Sequence, residues 1–535
     1  MILRAPVLSA CSNFNQAWAP EKLAHSAPMV RDYRDGMFWA QVETTLGEHV
    51  YDQPTTTYPT EIAAADKRLS VMIQSPNPLY DGGVTPYTPE GVEAFGHFAA
   101  SIVRKYPNVH SIEVMNEFNA QNFISGPLKA MQPFSDERVA GYFELLKSVA
   151  TKCRAVRRSV KILGGATHSL PTLYLWKLFD LGARAYMDAL ALHPYTTIPE
   201  AMVEQIKFMR RHPSIDSMPI EITEFGAADE TRAARMFAKL YSQYSLSGAS
   251  RVSWYQMHDR GDGFAPLYLA NGTITAVGRA YKFAQDNLVG KNASPLNKGP
   301  GTYGTRFGLN IFSIWGEPRA ISVRNGAEAY DSRGEKITTD ADMYFDEERL
   351  LYIVAPTTIA FGSAGNVVLA PAKTIADSRA HFRFPIAREY KAAGDVFERF
   401  FRDKNGLELP LPSHHGQSPG GGAWFPSRWN KDVGVKNETH IEERIMIIQA
   451  LCEVVHRYTA PKATQGSLVI KLIGRPNVPM QVIVRKNDAV VAEGEAVVNY
   501  DNTLPVNLAL GDALEVVVRA PTLRNVIDYR ISFVK

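Results

Sequence analysis

Along the first 290 residues, short runs of apolar positions alternate with longer stretches in which apolar residues return every three or four places. The runs predict strands, and the periodic stretches predict amphipathic helices. Strands are expected near residues 6–11, 28–31, 69–74, 111–117, 160–164, 188–193, 218–224 and 251–256. Helices are expected between them, at 89–105, 136–157, 173–181, 198–211 and 230–247 among others. Such alternation marks a parallel sheet with crossover helices, and eight units in this length predict an α/β fold, the (β/α)8 TIM barrel. No glycine-rich phosphate loop follows the first strand, which places a doubly wound open sheet second.

Beyond residue 290 the pattern changes. Residues 291–306 are rich in Gly, Pro, Asn and Lys and read as a linker. Short alternating strands then predict a small β domain at 300–372, packed on the barrel. Residues 376–535 carry a second set of alternating strands and predict a β-sandwich, with an exposed Gly-, Ser- and His-containing loop at 413–422. The expected division is therefore a barrel at 1–290 followed by two all-β accessory domains.

Two of the barrel strands end alike. Ile112-Glu113-Val114-Met115 leads into Asn116-Glu117, and Ile220-Glu221-Ile222-Thr223 leads into Glu224. Active residues of such barrels gather at the C-terminal ends of the strands. The polar and aromatic residues at those ends are Asn13, Arg31, Asn77, Asn116, Glu117, His168, His193, Tyr195, Glu224, Trp254 and His258. Two carboxyls facing each other over one site suit glycoside cleavage. One protonates the leaving oxygen, and the other attacks the anomeric carbon or activates a water. By this reading Glu117 is the acid/base and Glu224 the nucleophile. Glu117 should then have its pKa raised, so that it keeps a proton.

Period-two alternation places Glu113 on the face of Glu117, four residues deeper, where burial demands a partner such as Arg31. Glu221 has the opposite parity to Glu224 and, without a bulge, faces the helices. Both are expected to be structural.

As an ordered set the strand-end motifs resemble the retaining glycoside hydrolases of clan A. They are most similar to family 39 and related bacterial exopolysaccharide hydrolases. Val30-Arg31-Asp32 with Trp39 and Glu43 resembles the second strand and its loop. Asn77-Pro78-Leu79-Tyr80-Asp81-Gly82-Gly83 resembles the third-strand loop. Asn116-Glu117 resembles the acid/base motif, and Thr223-Glu224-Phe225-Gly226 the nucleophile motif. Ala191-Leu192-His193-Pro194-Tyr195 and Trp254-Tyr255 resemble the sixth and eighth strands. Met115 departs from the pattern, which has Trp there. The resemblance implies that Asn116 binds the sugar 2-hydroxyl and that His193 and Tyr195 hold the nucleophile. Trp254 would be an apolar sugar platform, with Trp39 and Asn77 as further substrate contacts. Arg31 would orient Glu117 or bind substrate. The last domain resembles carbohydrate-binding jelly rolls.

Charge narrows the partners. There are 58 basic and 55 acidic residues, too even a balance for a nucleic-acid binder. No apolar run is long enough for a membrane span. The 23 Tyr, 25 Phe and 7 Trp supply rings for stacking on a polysaccharide or oligosaccharide. Cys11, Cys153 and Cys452 show no disulfide or metal spacing, and free thiols are expected. His168, His193 and His258 with Asp259 and Asp262 show no metal-ligand spacing either, and the chemistry calls for no metal or cofactor. Gly-x-Ser-x-Gly is absent.

Met1 to Ala10 is too short for a signal peptide, so either export is not by the general route or a leader has been removed. An extracellular or periplasmic place suits the substrate, with cytoplasmic and phage-borne origins left open. Nothing in the sequence speaks to oligomeric state. The long loops at 76–89 and 118–134 favour endo attack on a bacterial exopolysaccharide or other long glycan. An exo-acting enzyme like a xylosidase or iduronidase is the alternative. A non-catalytic carbohydrate-binding barrel is the rival of another class.

Overall fold

The computed structural model describes residues 2–338, 343–417, 424–429 and 439–535. Eight parallel strands close into a barrel: β1 (Val7–Cys11), β2 (Asp32–Phe38), β3 (Arg68–Gln74), β4 (Val109–Val114), β5 (Lys161–His168), β6 (Ala189–His193), β7 (Ile220–Phe225) and β8 (Ala249–Trp254). The last strand pairs with the first, from Val7 opposite Arg251 to Ala10 opposite Trp254. Helices such as Pro89–Lys105, Asp136–Val156, Pro199–Met209 and Glu230–Ser247 surround the sheet. Their ends carry ordinary stop and start signals. Thr88 and Ser135 cap two N-termini through their hydroxyls, and Gly248 ends the helix before β8 in a left-handed conformation.

The barrel wall is apolar outside and polar inside. Leu69, Val71 and Ile73 of β3 and Ile112 and Val114 of β4 join the core shared with the helices. The alternate residues face inward, where the Ser111 hydroxyl donates to Ser70 at 2.8 Å. This explains the one misplaced strand. The second strand lies at Asp32–Phe38, not at 28–31. Its sequence holds Asp32, Arg34 and Asp35, all buried, and a hydrophobic run is a poor template for a strand whose inner face is ion-paired.

A second correction concerns β7. Ile222 pairs with Val252 and Phe225 with Trp254, so β7 holds one residue more than β8 across that interval. The bulge keeps Ile222 and Phe225 in the outer core while Thr223 and Glu224 both serve the inside and mouth. Glu221 consequently faces the barrel interior, not the helices, and pairs with Arg251 at 2.8 Å.

The stretch 291–306 is no linker. Ala293–Pro295 and Thr302–Phe307 are strands of a six-stranded antiparallel sheet that runs on to Leu351–Val354. A three-stranded sheet accompanies it, built from Arg319–Val323, Tyr344–Phe345 and Val367–Leu369. This region seats on the helix Glu230–Ser247: the Thr305 hydroxyl donates to the Ser242 carbonyl at 2.9 Å, and Phe307 and Trp315 enter the barrel core.

From Thr374 onward two antiparallel sheets enclose a separate core of Ile470, Val482, Val516 and Ile531 among others. Phe208 of the barrel reaches into that core and meets Phe384 at 4.9 Å. Of the loop expected at 413–422, residues 418–422 lie outside the described residues; Gln417, before them, is buried. The three cysteines are free. Among the described residues, no helix is long and apolar enough to cross a membrane.

Candidate active site

Glu117 and Glu224 reach the barrel mouth by different local devices. After β4, Met115 and Glu117 take left-handed backbone angles, φ +64 and +43. The chain leaves the strand there, and the Glu117 N–H donates to the Ala166 carbonyl at 2.7 Å. Ala166 is itself the extra residue of a bulge in β5, between Gly165 and Thr167. Below the following loop, the buried guanidinium of Arg138 donates to the carbonyls of Phe118, Met131 and Ala120. Glu224 is delivered by the β7 bulge. Behind it Gly226 lies so close to the next loop that an added Cβ would meet the Tyr255 carbonyl at 2.3 Å.

Carboxylate oxygens of Glu117 and Glu224, with a ring nitrogen of His193 between them, lie within 4.8 Å of one another. His193 ends β6 and is fully buried. Its Nδ1 is 3.1 Å from Glu117 Oε1, and its Nε2 is 3.0 Å from the Thr223 hydroxyl and 3.3 Å from Glu113 Oε1. The Thr223 hydroxyl in turn donates to Glu113 at 2.9 Å. Glu224 accepts from Arg34 Nη1 at 2.7 Å and from the Tyr195 hydroxyl at 3.0 Å. Arg34 also grips Glu113 through Nε at 2.6 Å and Nη2 at 3.0 Å, and donates through Nη2 to the Asn116 side-chain Oδ1 at 3.3 Å. Two cations thus serve three carboxylates.

The proton balance follows from this geometry. Burial pushes the Glu117 carboxyl up, but hydrogen bonds from His168 and His193 outweigh it and hold the group at about 2. Burial pushes His193 down, but the Glu224 charge and the bonds to Glu113 and Glu117 lift it to about 9. Glu113 is driven up by burial and, more strongly, down by Arg34 and His193. The expected raised pKa of Glu117 is therefore corrected. With His193 lifted and Glu117 lowered, the proton between these two groups lies on the His193 side, where Nδ1 faces Glu117 Oε1. Coupled groups of this kind titrate as a pair.

The structure brings together Asn116, Glu117, His193, Tyr195 and Glu224. It does not bring Arg31, Trp39, Asn77 or Trp254 to them. Arg31 is exposed before β2, and the arginine of the site is Arg34, three residues on and inward-facing. Trp254 shares parity with Val252 and so points to the helices. Its fully buried ring packs on Phe225 and Phe237 at 5.1 and 5.6 Å, and no face is free for a sugar. Trp39 is also fully buried, stacked on Tyr80 at 4.8 Å and bonded to Glu43 at 2.6 Å. Asn77 donates to the Glu43 carbonyl at 2.9 Å and orders the loop after β3.

Arg34 was hidden by its place inside a strand, and the only signal for it was the need of Glu113 for a cation. Tyr255, next to Trp254, has the opposite parity and lines the cavity. That cavity, about 210 Å3, is bounded by Arg34, Asn116, Glu224, Phe123, Tyr255 and Arg260 among others. Glu117, His193 and Glu224 are also the only group, among the described residues, with a metal-ligand spacing.

No family model matches the chain, and no curated protein matches it in sequence. Solved structures do. A GH30 endoxylanase from Clostridium papyrosolvens is 12% identical with a TM-score of 0.47, over 66% of this chain and 97% of that one. A monomeric beta-xylosidase from Caulobacter crescentus is 14% identical with a TM-score of 0.43, over 97% and 98%. A family 39 glycoside hydrolase from the gut symbiont Bacteroides cellulosilyticus is 16% identical with a TM-score of 0.54, over 66% of this chain and 81% of that one. In fold, this chain is similar to that family 39 glycoside hydrolase.

Proposed function

We propose that the protein is a retaining glycoside hydrolase that cleaves β-glycosidic bonds in a glycan by double displacement. The observation that carries this reading is the approach of the two carboxylates, within 4.8 Å. Retaining enzymes hold their carboxyls about 5–5.5 Å apart, whereas inverting ones leave roughly 6.5–9.5 Å for a water. Glu224 is the nucleophile: Arg34 and Tyr195 fix its two oxygens. Glu117 delivers the proton to the leaving oxygen and later takes one from the attacking water. Both imidazoles bind its Oε1, which turns Oε2 to the glycosidic oxygen. His193 returns the proton to Glu117. When the glycosyl-enzyme forms, the Glu224 charge disappears, and with it the largest force raising His193. Asn116 lines the cavity where a sugar hydroxyl would sit. The β-specificity rests on the motif resemblance.

Attack within a long chain is the finer reading. Phe123, from the loop after β4, walls the cavity and supports it. The loop after β3 folds against Glu43 instead and adds no support. A polymeric substrate suits a place outside the cytoplasm.

The test is reducing-end release from a panel of β-linked bacterial and plant polysaccharides, wild type against Glu224→Gln. The variant should lose activity by about 10^4-fold. The first product should keep the β-anomeric configuration by proton NMR, and its length should separate endo from exo cleavage. Release that survives in Glu224→Gln sinks the assignment. An α-anomeric first product would replace double displacement by inversion.

A further inference from the structure

The C-terminal sandwich reaches into the barrel mouth on the side of Glu117. Gln417 is 6% exposed and sits 298 residues from its partner. Its Nε2 donates to the Asn119 carbonyl at 2.8 Å, and Asn119 Nδ2 donates back to Gln417 Oε1 at 3.0 Å. Asn119 also clamps His168 at both backbone groups, accepting from its N–H at 2.9 Å and donating to its carbonyl at 3.0 Å. His168 Nδ1 then stands 3.4 Å from Glu117 Oε1. A continuous polar path therefore joins the sandwich to the acid/base.

A few residues on, the sandwich touches the same histidine again. The ring of Trp424 meets His168 edge-on, centroids 5.0 Å apart and planes at 88°. Phe425 beside it packs on the barrel core, which fixes the backbone there. Trp424 is 37% exposed, whereas Trp39, Trp254 and Trp315 are fully buried. The indole is thus partly open to solvent while it is held against the partner of the acid.

We propose that this C-terminal sandwich completes the site: Trp424 is the platform for the sugar on the leaving-group side, and Gln417 is the positioning residue that holds His168 against Glu117. The side follows from the chemistry. The acid must touch the glycosidic oxygen, so groups next to it border the aglycone and not the sugar that Glu224 attacks. The ligand class follows from the ring. A flat indole buries the apolar C–H face of a pyranose and asks for no particular hydroxyl pattern. The substrate thus has a sugar, not a small alcohol, as its leaving group. This rests on the glycosidase reading above.

The experiment compares two substrates of one glycone: the panel polysaccharide that wild type cleaves, and the matching β-glycosyl fluoride, whose leaving group is a single atom and does not reach the platform. Trp424→Ala should lower kcat/KM on the polysaccharide about tenfold or more, chiefly through KM, and leave the glycosyl fluoride, which has no group to place on the ring, within about twofold. Trp424→Phe should restore most of the loss. Gln417→Ala should shift the pH limbs of polysaccharide cleavage, whose sugar leaving group needs the proton from Glu117, because His168 loses its anchor. Equal losses on both substrates, or none on either, overturn the platform; unmoved pH limbs overturn the anchor. A binding measurement keeps the question separate from turnover. Glu224→Gln and Glu224→Gln/Trp424→Ala are titrated with the same polysaccharide, and equal affinity overturns the platform even if hydrolysis stands. Turnover that persists in Glu224→Gln removes the glycosidase reading and leaves the binding comparison to decide Trp424.

Discussion

The barrel interior holds two belts of charge that use the same residue types to different ends. In the lower belt Arg251 pairs with Glu221 at 2.8 Å and Asp32 at 2.9 Å, and Asp32 also faces His110 at 3.2 Å and Arg68 at 3.6 Å. In the upper belt Arg34 pairs with Glu113 at 2.6 Å and Glu224 at 2.7 Å, and His193 lies between Glu113 and Glu117. Side chains of the lower belt's acids are almost wholly buried, at 1% and 3% exposure, while Glu117 and Glu224 keep 11% and 12%. Burying an arginine between two carboxylates is therefore not what makes a site. The upper belt differs in having one carboxylate more than its cations, one shared proton, and oxygens that open on a cavity. Ion pairs alone give a rigid floor; the surplus charge above it gives chemistry.

Removing one arginine from each belt tests that contrast most severely. Arg251→Met leaves Glu221 and Asp32 buried without their main cation and should cost about 3–5 kcal/mol of stability. Its kcat/KM, measured well below the melting transition, should stay within about threefold, since nothing in the lower belt touches the cavity. Arg34→Met should lose similar stability and, in addition, about 10^3-fold in kcat/KM, because Glu224 loses the donor that holds Oε1. Thermal melts and steady-state kinetics on both variants decide the matter. A large kinetic loss in Arg251→Met, with the fold intact, would show the belts to act as one unit.

Tyr195→Phe sharpens the comparison within the upper belt. It removes a single 3.0 Å bond to Glu224 Oε2 and leaves the cations in place. A hydrogen bond to a charged group is worth about 1.5–3 kcal/mol, so kcat/KM should fall about 10- to 100-fold. Melting should barely change. Losses confined to KM would mean that the hydroxyl contacts substrate rather than the nucleophile.

How far the site could be read from sequence follows the same division. The two glutamates, Asn116, His193 and Tyr195 were legible because each ends an apolar strand, where a polar residue stands out. Arg34 was not, because it lies inside a strand whose polar face is buried, and the apolar-run template placed that strand four residues early. Trp254 was misread for a related reason. Strand ends do not all face the mouth: parity sends Trp254 outward and Tyr255 in. The β7 bulge reversed the parity argument for Glu221, and a bulge has no sequence signature in a run such as Ile220-Glu221-Ile222-Thr223. The contact of Gln417 with Asn119 joins positions 298 residues apart, beyond the reach of any local pattern. The barrel itself was legible because it is written in local periodicity.

His193 is where the two belts can be separated with the least damage. In the structure it is raised from 6.5 to about 9, so its contribution to stability is fully present below pH 6.5 and is lost as pH rises through about 9. The same proton is the one Glu117 needs, so the alkaline limb of kcat/KM should also fall near 9 in the wild type. His193→Gln keeps a polar side chain against Thr223 and Glu113 but holds no proton. The limb should then be set by Glu117 alone and move to lower pH, with activity at the new optimum within about tenfold. The decline of melting temperature between pH 6.5 and 9 should flatten in the variant, because the group responsible for it is gone. Arg251→Met should leave the limb where it is, since the lower belt carries no proton that the reaction uses. A His193→Gln enzyme with the wild-type limb would place the mobile proton on another group and remove His193 from the proton path.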